Sequence, residues 1–363
     1  MLIRSSSVIA LCCAATTSFA ETPAVVTDMS PMTALANSVM HGVAEADQLL
    51  PAGASPHDYN MRPSDAQKLA TADIVLWVGH GLTPWLETPI ESLAPNALSI
   101  EMLDSADWPV LETRTSSSIW ISDAEDDHDH DDHSEHDDHE NHDDHDDHDD
   151  HDDHAEHDDH DNHEDHGHED HDDHAEHEDH GDHDDHDHHD HGPNDPHAWL
   201  SPDVMAAWAN TVATELSAYD PANAAIYQAN AALAATELEA LHVELSALLA
   251  EVPDYSYVVA HDAFQYFEVA FGVPAAGTIA LSDAAEPGAN HIAELRELMH
   301  DANITCILTD TQTNPQWATI IAEGTDASLA IVDPALSGNT PDLAGYAANM
   351  RDMAQTLADC VAD

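Results

Sequence analysis

Two hydrophobic periods alternate along the chain and predict different elements. Short apolar runs rich in Val, Ile and Leu read as buried strands. They fall at Ala24–Thr27, Ile74–Val78 (stopping at Gly79), Ser256–Ala260, Ile304–Thr309 and Leu329–Val332. Between them lie amphipathic stretches with helical spacing. These predict helices over Thr33–Gly42, Asp65–Ala70, Pro84–Leu93, Pro202–Ser217, Ala289–His300 and Leu343–Ala358. Shorter helices are expected from Pro315 and around Phe264 and Phe267. Ser64 followed by Gln67 has the form of a capping box. Gln48-Leu49-Leu50 leads into a turn at residues 51–56. The longest helical segment opens at Pro221 and runs to Ala250, with Ile226, Leu233, Leu238, Leu241, Leu245, Leu248 and Leu249 as its apolar stripe. Strand and helix alternate on both sides of it, which predicts an α/β fold of two lobes with largely parallel sheets. In such sheets ligands bind beyond the carboxyl ends of the strands.

One stretch follows neither period. Asp123 to His191 spans 69 residues, of which 24 are His and 37 are Asp or Glu. It holds no Val, Ile, Leu, Phe, Trp or Tyr, so it cannot bury enough apolar surface to offset its ordering entropy. The expectation is a disordered His/Asp-rich insertion in the first lobe. This run also changes the meaning of the charge. The 363 residues carry 74 acidic and 6 basic side chains, a formal −68 with His neutral. Without the run, 37 acidic and 6 basic residues remain, a milder −31. Either balance argues against nucleic acid and against anionic lipid surfaces as partners. The expected organisation is an export segment (1–20), an N-terminal lobe (21–220), a linking helix (221–250) and a C-terminal lobe (251–363).

The first twenty residues have Arg4, an apolar stretch from Val8 to Ala15, and Ser18-Phe19-Ala20. A cation, a short apolar run and small residues before the cut predict a secretory signal cleaved after Ala20. The stretch is too short for a membrane anchor. A lipid anchor at Cys12 is disfavoured because Leu11 sits where such a signal wants a small residue. Cleavage leaves Cys306 and Cys360. In an oxidising compartment a lone pair usually forms a disulfide; two buried thiols are the alternative.

Eight His lie outside the acidic run: 41, 57, 80, 197, 242, 261, 291 and 300. His57 follows a turn, His197 sits just before a helix in Asn194-Asp195-Pro196-His197, and His261 comes directly after the strand ending at Ala260. Asp333 likewise follows the strand ending at Val332. Three imidazoles with a water or carboxylate suit tetrahedral Zn²⁺ better than Mn²⁺, which prefers carboxylate and water. His80 follows a strand and could face the cleft. The other His, and Trp77, Trp85 and Trp199, need no role beyond solvated surface, core or cleft wall.

Residues 54–65, Ala-Ser-Pro-His-Asp-Tyr-Asn-Met-Arg-Pro-Ser-Asp, resemble the first signature of metal-binding solute-binding proteins of ABC transporters. Residues 195–202, Asp-Pro-His-Ala-Trp-Leu-Ser-Pro, resemble the second, and residues 261–267, His-Asp-Ala-Phe-Gln-Tyr-Phe, the third. Pro287-Gly288-Ala289 also fits, and an acidic His-rich insertion between the first two signatures is typical of the zinc-uptake branch. The resemblance implies His57, His197 and His261 as metal ligands and Zn²⁺ as the transported cargo. It also implies Asp333 or water as a fourth ligand, and a disulfide between Cys306 and Cys360. Manganese-binding relatives usually carry Glu where His261 stands. Some zinc-branch members carry Glu just before the first His; Pro56 stands there in this chain. The resemblance implies a monomeric periplasmic receptor of a Gram-negative bacterium, two lobes joined by one long helix, that passes zinc to a membrane ABC permease. The insertion is implied to collect or sense zinc. Two rivals stand beside this reading. A zinc hydrolase shares the three-His arrangement but needs a general base, and no His-Glu-x-x-His signature occurs. A zinc buffer that never meets a transporter would carry the same ligands.

Overall fold

The computed structural model describes residues 22–105, 107–114, 194–280, 288–313 and 315–362. The expected export segment (1–20) and the acidic His-rich run (123–191) lie outside the described residues. The described chain builds two four-stranded sheets. The first contains β1 (Val25–Thr27), β2 (Asp47–Gln48), β3 (Ile74–Trp77) and β4 (Leu98–Glu101), in the order β2-β1-β3-β4. The second contains β5 (Tyr257–His261), β6 (Thr278–Ala280), β7 (Cys306–Asp310) and β8 (Ser328–Val332), in the order β6-β5-β7-β8. Every pairing is parallel. The two lobes therefore share one topology, and the strand order reverses at β1/β3 in one and at β5/β7 in the other.

Helices supply the crossovers: α1 (Ser30–Val39), α2 (Pro63–Ala70), α3 (Glu87–Leu93), α4 (Pro202–Tyr219), α5 (Ala224–Leu249), α6 (Gln265–Phe271), α7 (Ala289–Asp301), α8 (Pro315–Ala322) and α9 (Leu343–Ala362). Strand side chains alternate between two cores, as the pleat requires. Val25, Ile74 and Leu76 of the first sheet share one apolar core with Tyr257, Val259, Cys306 and Leu308 of the second. Val26, Val75 and Trp77 point the other way, toward Leu69 of α2 and Ile90 of α3. Val258 and Ile307 do the same toward Ile292 and Leu295 of α7. The shared core is filled by α1, α4, α5 and α9. The disulfide Cys306–Cys360 is present and ties β7 to α9.

Three differences from the sequence expectations have physical causes. The edge strands β2, β4 and β6 are not apparent in the hydrophobic pattern. They are two to four residues long and partly polar, so no continuous apolar run marks them. The start of α2 is set by Pro63, whose fixed φ suits the first helical position. Asp65, rather than a Ser64/Gln67 pair, closes that end: its Oδ2 accepts from the Arg62 backbone N–H at 3.1 Å. On α5 the buried stripe is Tyr227, Ala231, Ala234, Leu238, Leu241, Leu245 and Leu249. Ile226 and Leu233 are exposed instead, because the stripe begins one residue later, about 100° around the helix.

Candidate metal centre

His261 is the last residue of β5, at the point where the second sheet reverses its strand order. Asp310 ends the neighbouring strand β7. Its Oδ2 accepts from His261 Nδ1 at 2.8 Å, and Thr313 Oγ1 lies 3.1 Å from the same nitrogen. Asp310 Oδ1 accepts the backbone N–H groups of Gln312 (2.7 Å) and Thr313 (2.8 Å). Burial works to raise this carboxyl, but the His261 charge and these hydrogen bonds outweigh it and hold Asp310 well below the usual carboxylate range.

His197 stands at the entrance to a 3-10 turn, Ala198–Leu200, that precedes α4. Asp195 Oδ1 accepts both from the His197 backbone N–H at 2.9 Å and from its Nδ1 at 2.8 Å. The turn is pinned from behind: Trp199 Nε1 donates to Pro334 O (2.9 Å), and Tyr346 Oη donates to Trp199 O (2.8 Å). His57 lies in the loop between β2 and α2. Trp85 Nε1 donates to the preceding carbonyl of Pro56 at 2.8 Å, and Tyr59 stacks edge-on against Trp85.

The fold brings these three side chains together. All three are buried, and one ligand nitrogen from each lies within 4.8 Å of the others. With Nδ1 of His197 and His261 facing carboxylates, Nε2 of each is the nitrogen left for the cleft. His57 Nε2 and His197 Nε2 are 3.4 Å apart. Two ligands about 2.0–2.1 Å from one tetrahedral ion stand roughly 3.3–3.4 Å from each other, so this spacing suits Zn²⁺.

Asp333 does not join the group. Its Oδ1 accepts from Ser337 Oγ at 2.8 Å and its Oδ2 from the Gly338 N–H at 3.1 Å, so it caps its own loop. His80 is exposed beside Glu87 (3.0 Å), His242 pairs with Asp203 (3.2 Å), and His300 with Asp301 (3.1 Å). His291 Nε2 lies 3.2 Å from the Ile279 carbonyl. Sequence reasoning missed the supporting roles of Asp195 and Asp310. Asp195 was visible two residues before His197. Asp310 follows the apolar run Ile307-Leu308, where strand-end chemistry is expected.

Two parallel-sheet lobes with a buried three-imidazole site suit a solute-binding protein for metal transport. Residues 25–360 match the family described as zinc-uptake complex component A, periplasmic, and the chain belongs to this ZnuA family. It is 40% identical to the high-affinity zinc uptake system protein ZnuA of Paracoccus denitrificans (strain Pd 1222), covering 99% of both chains. It is 34% identical to the protein of the same description from Brucella abortus (strain 2308), covering 94% of this chain and 92% of that one. Among solved structures, a zinc-bound ZnuA deletion mutant superposes with a TM-score of 0.65 at 19% identity, covering 94% of this chain and 98% of that one. The Mn²⁺ complex of the solute-binding protein FpvC from Pseudomonas aeruginosa gives 0.66 at 18% identity, covering 94% and 99%. These structural likenesses concern the fold. The family is one of zinc-binding receptors for zinc uptake. No helix among the described residues is long and apolar enough to cross a membrane.

Proposed function

We propose that His57, His197 and His261 hold one Zn²⁺ as cargo and that the exported, periplasmic protein delivers it as a monomer to a membrane ABC permease. The observation that carries this reading is the convergence of three buried imidazoles whose ligand atoms lie within 4.8 Å of one another. Carboxylates on Nδ1 of His197 and His261 fix the tautomer and aim a basic Nε2 at the ion. Three imidazole donors favour a tetrahedral nitrogen-rich site over the oxygen-rich octahedron of Mn²⁺. With Asp333 turned to its own loop, water is the fourth ligand. The His/Asp-rich run at 123–191 gathers zinc in weaker sites, and its binding fades as pH falls because ligating His must be neutral.

X-ray absorption of the zinc-loaded protein tests the ligand set. It should show nitrogen and oxygen neighbours at about 2.0–2.1 Å with the scattering signature of about three imidazoles. A sulfur shell or one imidazole would refute the assignment. For delivery, a strain lacking the protein should fail to grow under zinc chelation and recover with the wild-type chain but not with His57→Ala. Normal growth of the deletion strain would favour a zinc buffer.

A further inference from the structure

Arg114 is one of the few basic residues of the chain, and it is spent on two buried carboxylates. Its Nη1 donates to Asp262 Oδ1 at 2.8 Å and to Glu268 Oε1 at 3.2 Å, and its Nη2 donates to Glu268 Oε2 at 2.7 Å. Asp262 immediately follows the candidate ligand His261, and Glu268 lies on α6 of the second lobe. Arg114 itself comes from the segment after β4 of the first lobe. Burial raises both carboxyls, and the guanidinium opposes that rise. Burial works to lower Arg114, but the hydrogen bonds and charges of Glu268 and Asp262 outweigh it and hold the guanidinium above its ordinary value.

The segment around Arg114 touches the other histidine support as well. Leu111 O accepts from the Asp195 N–H at 2.9 Å, and Leu111 N–H donates to Tyr266 Oη at 2.9 Å. Glu112 pairs with Asn194 in an antiparallel bridge. The Gln265 amide, in the orientation that satisfies its neighbours, donates to Asp195 Oδ2 at 3.0 Å and to Glu112 O at 3.1 Å. Residues 111–114 thus form one strut. It connects to Asp195, which orients His197, and to Asp262, which is bonded in sequence to His261.

We propose that Arg114 is a positioning residue for the metal centre: by clamping Asp262 and Glu268 of the second lobe to the 111–114 strut of the first, it holds His261 in register with His197 and slows zinc release. The inference rests on the three-histidine reading above. A guanidinium can serve both carboxylates at once through its planar fork, whereas a Lys ammonium is a point charge that reaches one well. Removing the cation alone leaves two buried carboxylates facing each other, which is expected to loosen this junction before the rest of the fold.

The test is stopped-flow zinc release into excess chelator, with association rate and thermal midpoint measured on the same preparations. The variants are Arg114→Ala, Arg114→Lys and the charge-neutral triple Arg114→Met, Asp262→Asn, Glu268→Gln. Release should be tenfold or more faster for Arg114→Ala and the neutral triple, and intermediate for Arg114→Lys, with association within about twofold of wild type. Folded variants that release zinc at the wild-type rate, whatever their thermal midpoints, would overturn the clamp. The neutral triple and the Lys variant keep the test decisive if Arg114→Ala does not fold. Absence of tight zinc binding in the wild-type chain would instead defeat the metal-centre reading itself.

Discussion

The two lobes share a strand order but use their reversal points in opposite ways. At β1/β3 the acidic residue is Asp28, fully buried just after β1. It accepts from the backbone N–H groups of Val78 (2.8 Å) and Met29 (2.7 Å), with Thr83 Oγ1 at 3.4 Å. At β5/β7 the acidic residue is Asp310, equally buried but facing His261. Burial pushes Asp28 up to about 7 despite its hydrogen bonds. Asp310 feels the same burial and ends below its ordinary range, because an imidazole stands against it. One junction is closed on its own backbone and the other is turned toward chemistry. Similar burial thus raises a strand-end carboxylate that meets only backbone N–H groups and a hydroxyl, and is outweighed where the carboxylate meets an imidazole.

The largest expected effect separates stability from function at the second junction. β7 begins at Cys306 and ends at Asp310, so the same strand carries the staple and the support. Replacing Cys306 and Cys360 together by Ser should cost about 4 kcal/mol by loop entropy. Chemical denaturation should show that loss while calorimetric zinc affinity stays within about threefold. A parallel collapse of affinity would mean that the sheet, not the local pair, sets the site.

Asp310→Ala should weaken zinc binding roughly 10–100-fold, the usual cost of losing a partner that orients a ligating imidazole. Asp28→Asn, at the matching junction, should change it by less than about threefold. Competition titration against a chelator distinguishes the two, and equal effects would erase the contrast.

The pH dependence of the metal-free protein is smaller and opposite in sign at the two junctions. Asp28 has an ordinary value of 3.8 and a folded value of about 7, so between these the folded chain holds a proton that the unfolded chain has lost. Its stability contribution is full below the lower value and falls as pH rises toward 7. Asp310 is lowered from 3.8, so its contribution is present above that value and lost as pH drops below it. Urea denaturation of wild type beside Asp28→Asn and beside Asp310→Asn should give difference curves of opposite slope in those two windows. Matching slopes would refute one of the assignments.

Much of this arrangement was legible in the chain, and the gaps follow a pattern. The central strands β3, β5 and β7 announce themselves as apolar runs because both faces are buried. The edges β2, β4 and β6 do not, since their short, partly polar residues leave no run to read. His57, His197 and His261 stood out through the signatures around them. Asp310 did not, because in sequence it is an Asp at the end of a strand like Asp333, and only the fold sets one against His261 and the other against Ser337 and Gly338. Arg114 was one cation among six, and its partners lie about 150 residues away, at Asp262 and Glu268.

Zinc titration by calorimetry tests the central claim most directly. A chain beginning at Glu21 is compared with a form that also lacks residues 123–191, and with His57→Ala, His197→Ala and His261→Ala in both. One tight site should appear in both forms and vanish in each His variant, with additional weak sites only in the longer form. A shortened protein that loses its tight site, alongside His variants that retain theirs, would contradict the account.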